Sequence, residues 1–186
     1  MDADADLVAR ARTGDHASFT ALCESHVPRV ERFLVTMTGD PHTAADVLQQ
    51  TLQLALLRLD QLREPSRFAG WLMSIACNEC RKRLRSDVQR QHGGNEALDE
   101  VAERRRSALS SLVRREDALQ LALAIDRLPI LLREAFVLFA VENMSYAEIA
   151  AITDATEGTL QVRVHRAKAL LRQQLGSRVD TWWSRA

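Results

Sequence analysis

Between Gly158 and Val179 the chain carries Arg163, Arg166, Lys168, Arg172 and Arg178 with no Asp or Glu among them. Cations clustered in this way attract phosphate whatever base sequence lies behind it. Leu160, Val164, Ala167 and Leu171 recur at helical spacing within the same run, so one face turns inward and Gln161, Arg163, His165, Arg166 and Lys168 are expected on the other. If this is the second helix of a helix-turn-helix, its N-terminal turns lie against base edges in the major groove. That geometry places Gln161, Val162, His165 and Arg166 near bases, and Arg163, Lys168 and Arg172 nearer phosphates.

Other chemistries find less support. Cys77 and Cys80 form a CxxC, but IACNECR from Ile75 to Arg81 sits in a helical pattern with no second CxxC and no nearby His pair to complete a tetrahedral zinc site. Cys23, Cys77 and Cys80 are therefore expected to be small buried or half-buried residues, not metal ligands or redox groups. His16, His26, His42, His92 and His165 are scattered, and there is no glycine-rich phosphate loop, no paired-carboxylate metal motif and no nucleophile elbow. No enzyme activity, metal or cofactor is expected.

The elements that would position the basic helix are legible around it. Ser145 followed by Glu148 is a capping box for a short helix whose inner face is Ile149, Ala150 and Ile152, and Thr156 can cap the next after a turn at Thr153 to Thr156. Upstream, almost every segment has helical period and none reads as a strand, so the expected class is all-α. A helix from Asp4 to Arg12 precedes one from His16 to Met37, capped by Asp15, with Phe19, Leu22, Cys23, Val30, Phe33 and Leu34 inward. Asp40 and Pro41 start another, with an apolar stripe of Val47, Leu48, Leu52, Ala55, Leu56 and Leu59, which should stop near Leu62. Phe68 begins a fourth, which runs into the basic cluster Arg81 to Arg85.

Charge and composition divide the chain. Its 25 Lys and Arg balance 25 Asp and Glu, so nucleic-acid contact must come from local segregation of charge: Asp2, Asp4 and Asp6 open the chain, and cations gather at Arg81 to Arg85, Arg104 to Arg106 and the reader helix. No apolar run approaches the roughly 20 residues needed to span a bilayer, and the acidic N-terminus is unlike a secretion signal. A cytoplasmic protein without membrane insertion is expected. Residues 1–86 form one expected domain. Residues 87–114, with QRQHGGNE and three successive arginines, are an expected flexible linker; 115–175 form a second domain of four helices, and 176–186 a tail.

These motifs together resemble a group IV, extracytoplasmic-function sigma factor of bacterial RNA polymerase. GDPHTAADVLQQT from Gly39 to Thr51 is similar to the family's core-polymerase-binding helix, and FAGWLMSIACN from Phe68 to Asn78 to its promoter-melting helix. Leu128 to Phe136, SYAEIA from Ser145 and GTLQVRVHRA from Gly158 are similar to its fourth conserved region. The resemblance implies two partners, core RNA polymerase and promoter DNA; an anti-sigma factor or a Ser/Thr kinase is a candidate regulator. It implies that Asp46, Gln49 and Gln50 meet the polymerase clamp. Asn78, Arg81, Lys82, Arg83 and Arg85 would hold the unstacked minus-ten strand. Gln161, Val162, Arg163, His165, Arg166 and Lys168 would engage the minus-thirty-five element, and Trp71 would pack in the first core.

One departure bears on regulation. The family usually carries several acids in and before the clamp-binding helix, whereas Asp46 is the only acid here between Pro41 and Leu59. Phosphorylation of Thr43 or Thr51 would supply about −1.5 to −2 charges. Thr43 lies three residues before Asp46 and shares its face more closely than Thr51 does. A rival reading, an ordinary helix-turn-helix regulator, accounts for residues 115–175 but leaves the pattern from Phe68 to Arg85 without a role.

Overall fold

A computed structural model describes residues 3–91 and 115–176, and among them every regular element is helical. The first unit comprises α1 (Ala3–Arg12), α2 (His16–Thr38), α3 (Pro41–Leu57) and α4 (Phe68–Gln91). Its boundaries follow local chemistry. Asp15 caps α2, its Oδ1 accepting from the amides of Ala17 at 3.0 Å and Ser18 at 3.2 Å, and Ser18's hydroxyl and amide hold its carboxyl below the usual range. Gly39 ends α2 at φ 67°, a left-handed conformation open to glycine at little cost. Asp40 then caps α3, with Pro41 in its first turn.

Phe33, Leu34, Leu22, Met37, Phe68 and Leu72 are fully buried between these helices. Each contributes roughly 1.5–3 kcal/mol by leaving water. Trp71 packs half-buried against this core, its ring 5.9 Å from that of Phe68. Arg12 fastens α1 to the chain after α3, donating to the carbonyls of Leu59 and Leu62.

Two details depart from expectation. The buried row of α3 is Ala44, Val47, Thr51 and Ala55, while Leu56 is 42% exposed. Positions 47, 51 and 55 share one face at a spacing of four, which makes Thr51, not Leu56, part of the inward stripe. Helix α4 runs on to Gln91, past the expected boundary at residue 86. Its last turns are laced by Arg83 to Asp87 at 3.1 Å and Arg90 to Asp87 at 3.6 Å, and Leu84 is buried. Such pairs support a helix that composition alone reads as loop. The rest of the expected linker, 92–114, and the tail from 177 lie outside the described residues.

The second unit is α5 (Arg115–Asp126), α6 (Ile130–Phe136), α7 (Tyr146–Ile152) and α8 (Glu157–Leu175). Ser145 and Glu148 form the expected capping box on α7, and Thr156 caps α8 by accepting from the Thr159 amide at 3.3 Å. Between α6 and α7 the chain widens into a π turn over Val137–Val141. The amide of Glu142 bonds to the Val137 carbonyl at 3.0 Å, and Asn143 follows at φ 54°. An inserted π turn shifts the register of every later side chain. Here it delivers Glu142 into the seam between the units.

That seam is charged. Glu142 has a fully buried side chain and receives Arg32 Nε and Nη2 at 3.0 and 2.7 Å and Arg29 Nε at 3.3 Å, while Arg29 Nη2 caps its carbonyl at 3.1 Å. Buried Arg133 donates to the Met37 carbonyl at 2.7 Å and to Asp126 at 2.8 Å. Buried Glu134 has Arg81 Nε 3.4 Å from its Oε1, an atom that accepts no hydrogen bond among the described residues. Burial raises the Glu134 carboxyl above its ordinary value despite Arg81 and Arg163 nearby.

Candidate nucleic-acid interface

Helix α8 buries Leu160, Val164, Ala167 and Leu171 and thereby sets what it shows to solvent. Gln161, Val162, His165 and Arg166 are exposed together on its first two and a half turns, Val162 at 50%. A large apolar side chain held in water beside amide, imidazole and guanidinium groups has the mixed character of a base-reading surface. Arg163 and Lys168 differ from the expectation of a single outward face. Arg163 is half-buried and turned to within electrostatic reach of Glu134. Lys168 is also half-buried, its Nζ 5.1 Å above the Phe139 ring, which stacks on Tyr146 at 4.8 Å. Both lie one position too far round the helix to stay clear of the neighbouring elements, and the cation–π contact makes Lys168 part of the packing.

Helix α4 brings the second group together. Lys82 and Arg85 are exposed, as is Asn78, whose Oδ1 accepts from Arg81 Nη2. Lys82 pairs with Glu79 at 2.7 Å, and Arg83 with Asp87 at 3.1 Å. The Arg81 side chain is only 14% exposed because the seam covers it. On the same helix Cys77 and Cys80 are buried, and burial pushes the Cys80 thiol up to about 12 and Cys77 well above its ordinary value. Neither offers a thiolate at neutral pH. No cluster of three metal-ligating side chains occurs among the described residues.

Helix α3 presents His42, Ala45, Asp46, Gln49, Gln50 and Gln53 outward. Asp46 is 67% exposed in its side chain and lies 3.9 Å from Arg83 Nη1, so the first unit partly neutralises the lone acid itself. Thr43 is half-buried, its hydroxyl donating to Asp40 Oδ2 at 2.6 Å. Thr51 is fully buried, its hydroxyl donating to the Val47 carbonyl at 2.8 Å. The fold thus encloses the Thr51 hydroxyl and leaves that of Thr43 the more accessible of the two.

Sequence reasoning missed the residues that join the two units. Glu142, Arg29 and Arg32 carry no motif, and Arg133, within the Leu128 to Phe136 match, was given no role. The one available signal was a carboxylate directly after the apolar run VLFAV, where an acid must be paired if it is buried.

Comparison with known proteins follows the same division. Residues 22–90 match the family model described as Sigma-70 region 2, and residues 118–171 the one described as Sigma-70, region 4. The chain is 35% identical over 173 residues to the RNA polymerase sigma factor CarQ of Myxococcus xanthus, covering 90% of this chain and 94% of that protein. It is 34% identical over 172 residues to the ECF RNA polymerase sigma factor SigE of Mycolicibacterium smegmatis, covering 88% of this chain and 65% of that protein. Among solved structures, CnrH in complex with the cytosolic domain of CnrY superposes with a TM-score of 0.65 at 28% identity, covering 94% of this chain and 97% of that one. The sigma factor RpoE of Bartonella quintana, solved with the anti-sigma factor NepR, shares the fold with a TM-score of 0.65 at 24% identity, covering 86% of this chain and 97% of that one.

Proposed function

Because the chain belongs to the extracytoplasmic-function sigma factors of the sigma-70 family, we propose how its two faces divide the work of transcription initiation. The outward side of α3, with Asp46, Gln49 and Gln50, docks on core RNA polymerase in the cytoplasm. Asn78, Arg81, Lys82, Arg83 and Arg85 of α4 hold the unstacked minus-ten strand, and Gln161, Val162, His165 and Arg166 of α8 read the minus-thirty-five duplex. Arg163 and Lys168 serve phosphate contact only after some release from their packing. The observation that carries this reading is the joint exposure of Gln161, Val162, His165 and Arg166 on the first turns of a capped second helix. The solved complexes of CnrH with the cytosolic domain of CnrY and of RpoE with the anti-sigma factor NepR support a bound protein regulator here.

The shortage of acid on α3 supports charge-dependent docking. Arginines on a clamp gain little from Gln49 and Gln50, each charge-assisted bond being worth about 1.5–3 kcal/mol against about 1 kcal/mol for a neutral one. Thr43 is the hydroxyl on which phosphate would act. It lies in the first turn of α3, where the helix dipole favours an anion, although phosphate there must give up the bond to Asp40. Titration of core polymerase with wild type, Thr43→Glu and Gln50→Glu at low and high salt tests this. Tighter, salt-sensitive binding by the acidic variants is expected. Tight, salt-insensitive binding by wild type, unchanged by either acid, would remove charge-dependent docking.

A further inference from the structure

A large apolar side chain standing alone on a surface is ordinary. Its position on the helix sets Val162 apart. At about 100° per residue, Val162 and Ala169 each lie about 170° from the mean direction of the buried row Leu160, Val164, Ala167 and Leu171. His165 and Arg166 flank them, one on either side, each about 130° from that row. The part of α8 that points straight away from its own core is therefore small and uncharged. Among the described residues Val162 is the one large apolar side chain of α8 that is exposed, at 50%.

Gly158 stands one turn before Val162 on the same side of the helix, also exposed. Positive φ occurs at Gly14, Gly39 and Gly176 and not at Gly158, and a Cβ built on Gly158 would meet nothing within 4 Å. Neither its backbone nor its neighbours call for glycine, which weakens a helix relative to alanine. Room is kept on this side for something outside the chain, and in a helix-turn-helix that is the major groove.

The groove offers such a surface little choice. Base edges there present donors and acceptors and one apolar group, the C5-methyl of thymine. Cytosine carries the same methyl only after methylation. Val162 can neither donate nor accept, so a donor or acceptor set against it loses water without gaining a partner, whereas a methyl loses nothing. We infer that Val162 selects a pyrimidine C5-methyl at one base pair of the upstream duplex, thymine in unmodified DNA, with Gln161, His165 and Arg166 supplying the hydrogen bonds around it. The inference rests on α8 being the reader helix, as proposed above, and names the group that it selects.

Duplexes selected by the full chain, alone and bound to core polymerase, from a library randomised over about ten base pairs, one turn of duplex, supply the probe. Each thymine of the enriched duplex is then replaced by deoxyuridine, which removes the methyl alone, and each cytosine by 5-methylcytosine, which adds it. One replacement by deoxyuridine should weaken binding about fourfold, the equivalent of about 0.8 kcal/mol for one buried methyl group, and the others should change it by less than about twofold. A response at a thymine names the unmodified base as the source of the methyl, and a response confined to a cytosine names the methylated one. Val162→Ala should bring the fourfold difference below about twofold. No response at any position, or a response of the same size in Val162→Ala, would overturn the inference. Methyl-dependent binding by the chain alone that core polymerase leaves unchanged would keep the role of Val162 and remove the sigma reading; methyl-independent selection by the polymerase-bound chain would do the reverse. Enrichment of no duplex by either form would overturn both.

Discussion

The core of the first unit is mainly apolar, whereas the seam between the units adds buried charges to its apolar contacts, with their arginine partners partly open to water. Phe33 is buried in one cluster with Leu22, Leu34, Met37, Phe68 and Leu72, apolar groups that gain nothing by returning to solvent. Across the seam the buried groups are Glu142, Arg133 and Glu134, reached by Arg29, Arg32 and Arg81. Charged groups repay most of their desolvation when they are rehydrated, so a seam of this kind holds its geometry closely and yields at modest cost. The difference teaches which contacts are meant to last.

The largest expected effect breaks the permanent side of that contrast. Phe33→Ala should cost about 3–5 kcal/mol of stability, from lost burial and the cavity left behind, measured by denaturant unfolding. A loss below about 1 kcal/mol would mean that this core is loosely packed. Glu142→Gln should instead cost about 1–3 kcal/mol and confine it to the seam. Hydrogen exchange should quicken at residues 137–146 and leave the amides around Phe33 unchanged. Equal acceleration in both places would show that seam and core unfold as one.

Smaller effects sharpen the electrostatics. Burial raises the Glu134 carboxyl above its unfolded value, so its contribution is greatest below that unfolded value and is lost as pH rises through the raised folded one. Glu134→Gln should therefore stabilise the fold at neutral pH, with the advantage shrinking in acid. Melting temperatures of both proteins across that range check it, and a pH-independent difference would contradict it. Glu148 has the opposite sign. Backbone and side-chain hydrogen bonds with Ser145 hold its carboxyl low, so its support of α7 is present above its unfolded value and is lost as pH falls through the folded one. Ser145→Ala should cost about 1 kcal/mol. It should also flatten the acid limb of the melting curve, and an unchanged limb would detach Glu148 from the cap.

What the sequence disclosed and what it concealed follow the range of the interactions. Asp15, Asp40, Ser145 and Thr156 cap helices within three residues of themselves, so each was readable from neighbours. The inward stripe of α8 was equally local. The face of α3 was harder, because the apolar residues Val47, Leu48, Leu52, Leu54, Ala55, Leu56 and Leu57 offer two overlapping stripes, and only packing against α2 and α4 selects the one with Thr51. Arg163 and Lys168 were assigned to a face by helical spacing, but Glu134 and the ring of Phe139 capture them from other elements. The Glu142 contact was out of reach, since its partners lie 110 and 113 residues away and its burial depends on a π turn that no periodicity announces.

The most direct test of the sigma reading is to map transcript 5′ ends produced by core RNA polymerase with and without the purified chain on fragments of genomic DNA. The account predicts defined start sites that need both components, downstream of paired minus-ten and minus-thirty-five elements, and a relaxed preference at one upstream base pair with Arg166→Ala. Tight binding of duplex DNA by the chain alone, with no new start site when core polymerase is added, would contradict it and favour an ordinary helix-turn-helix regulator.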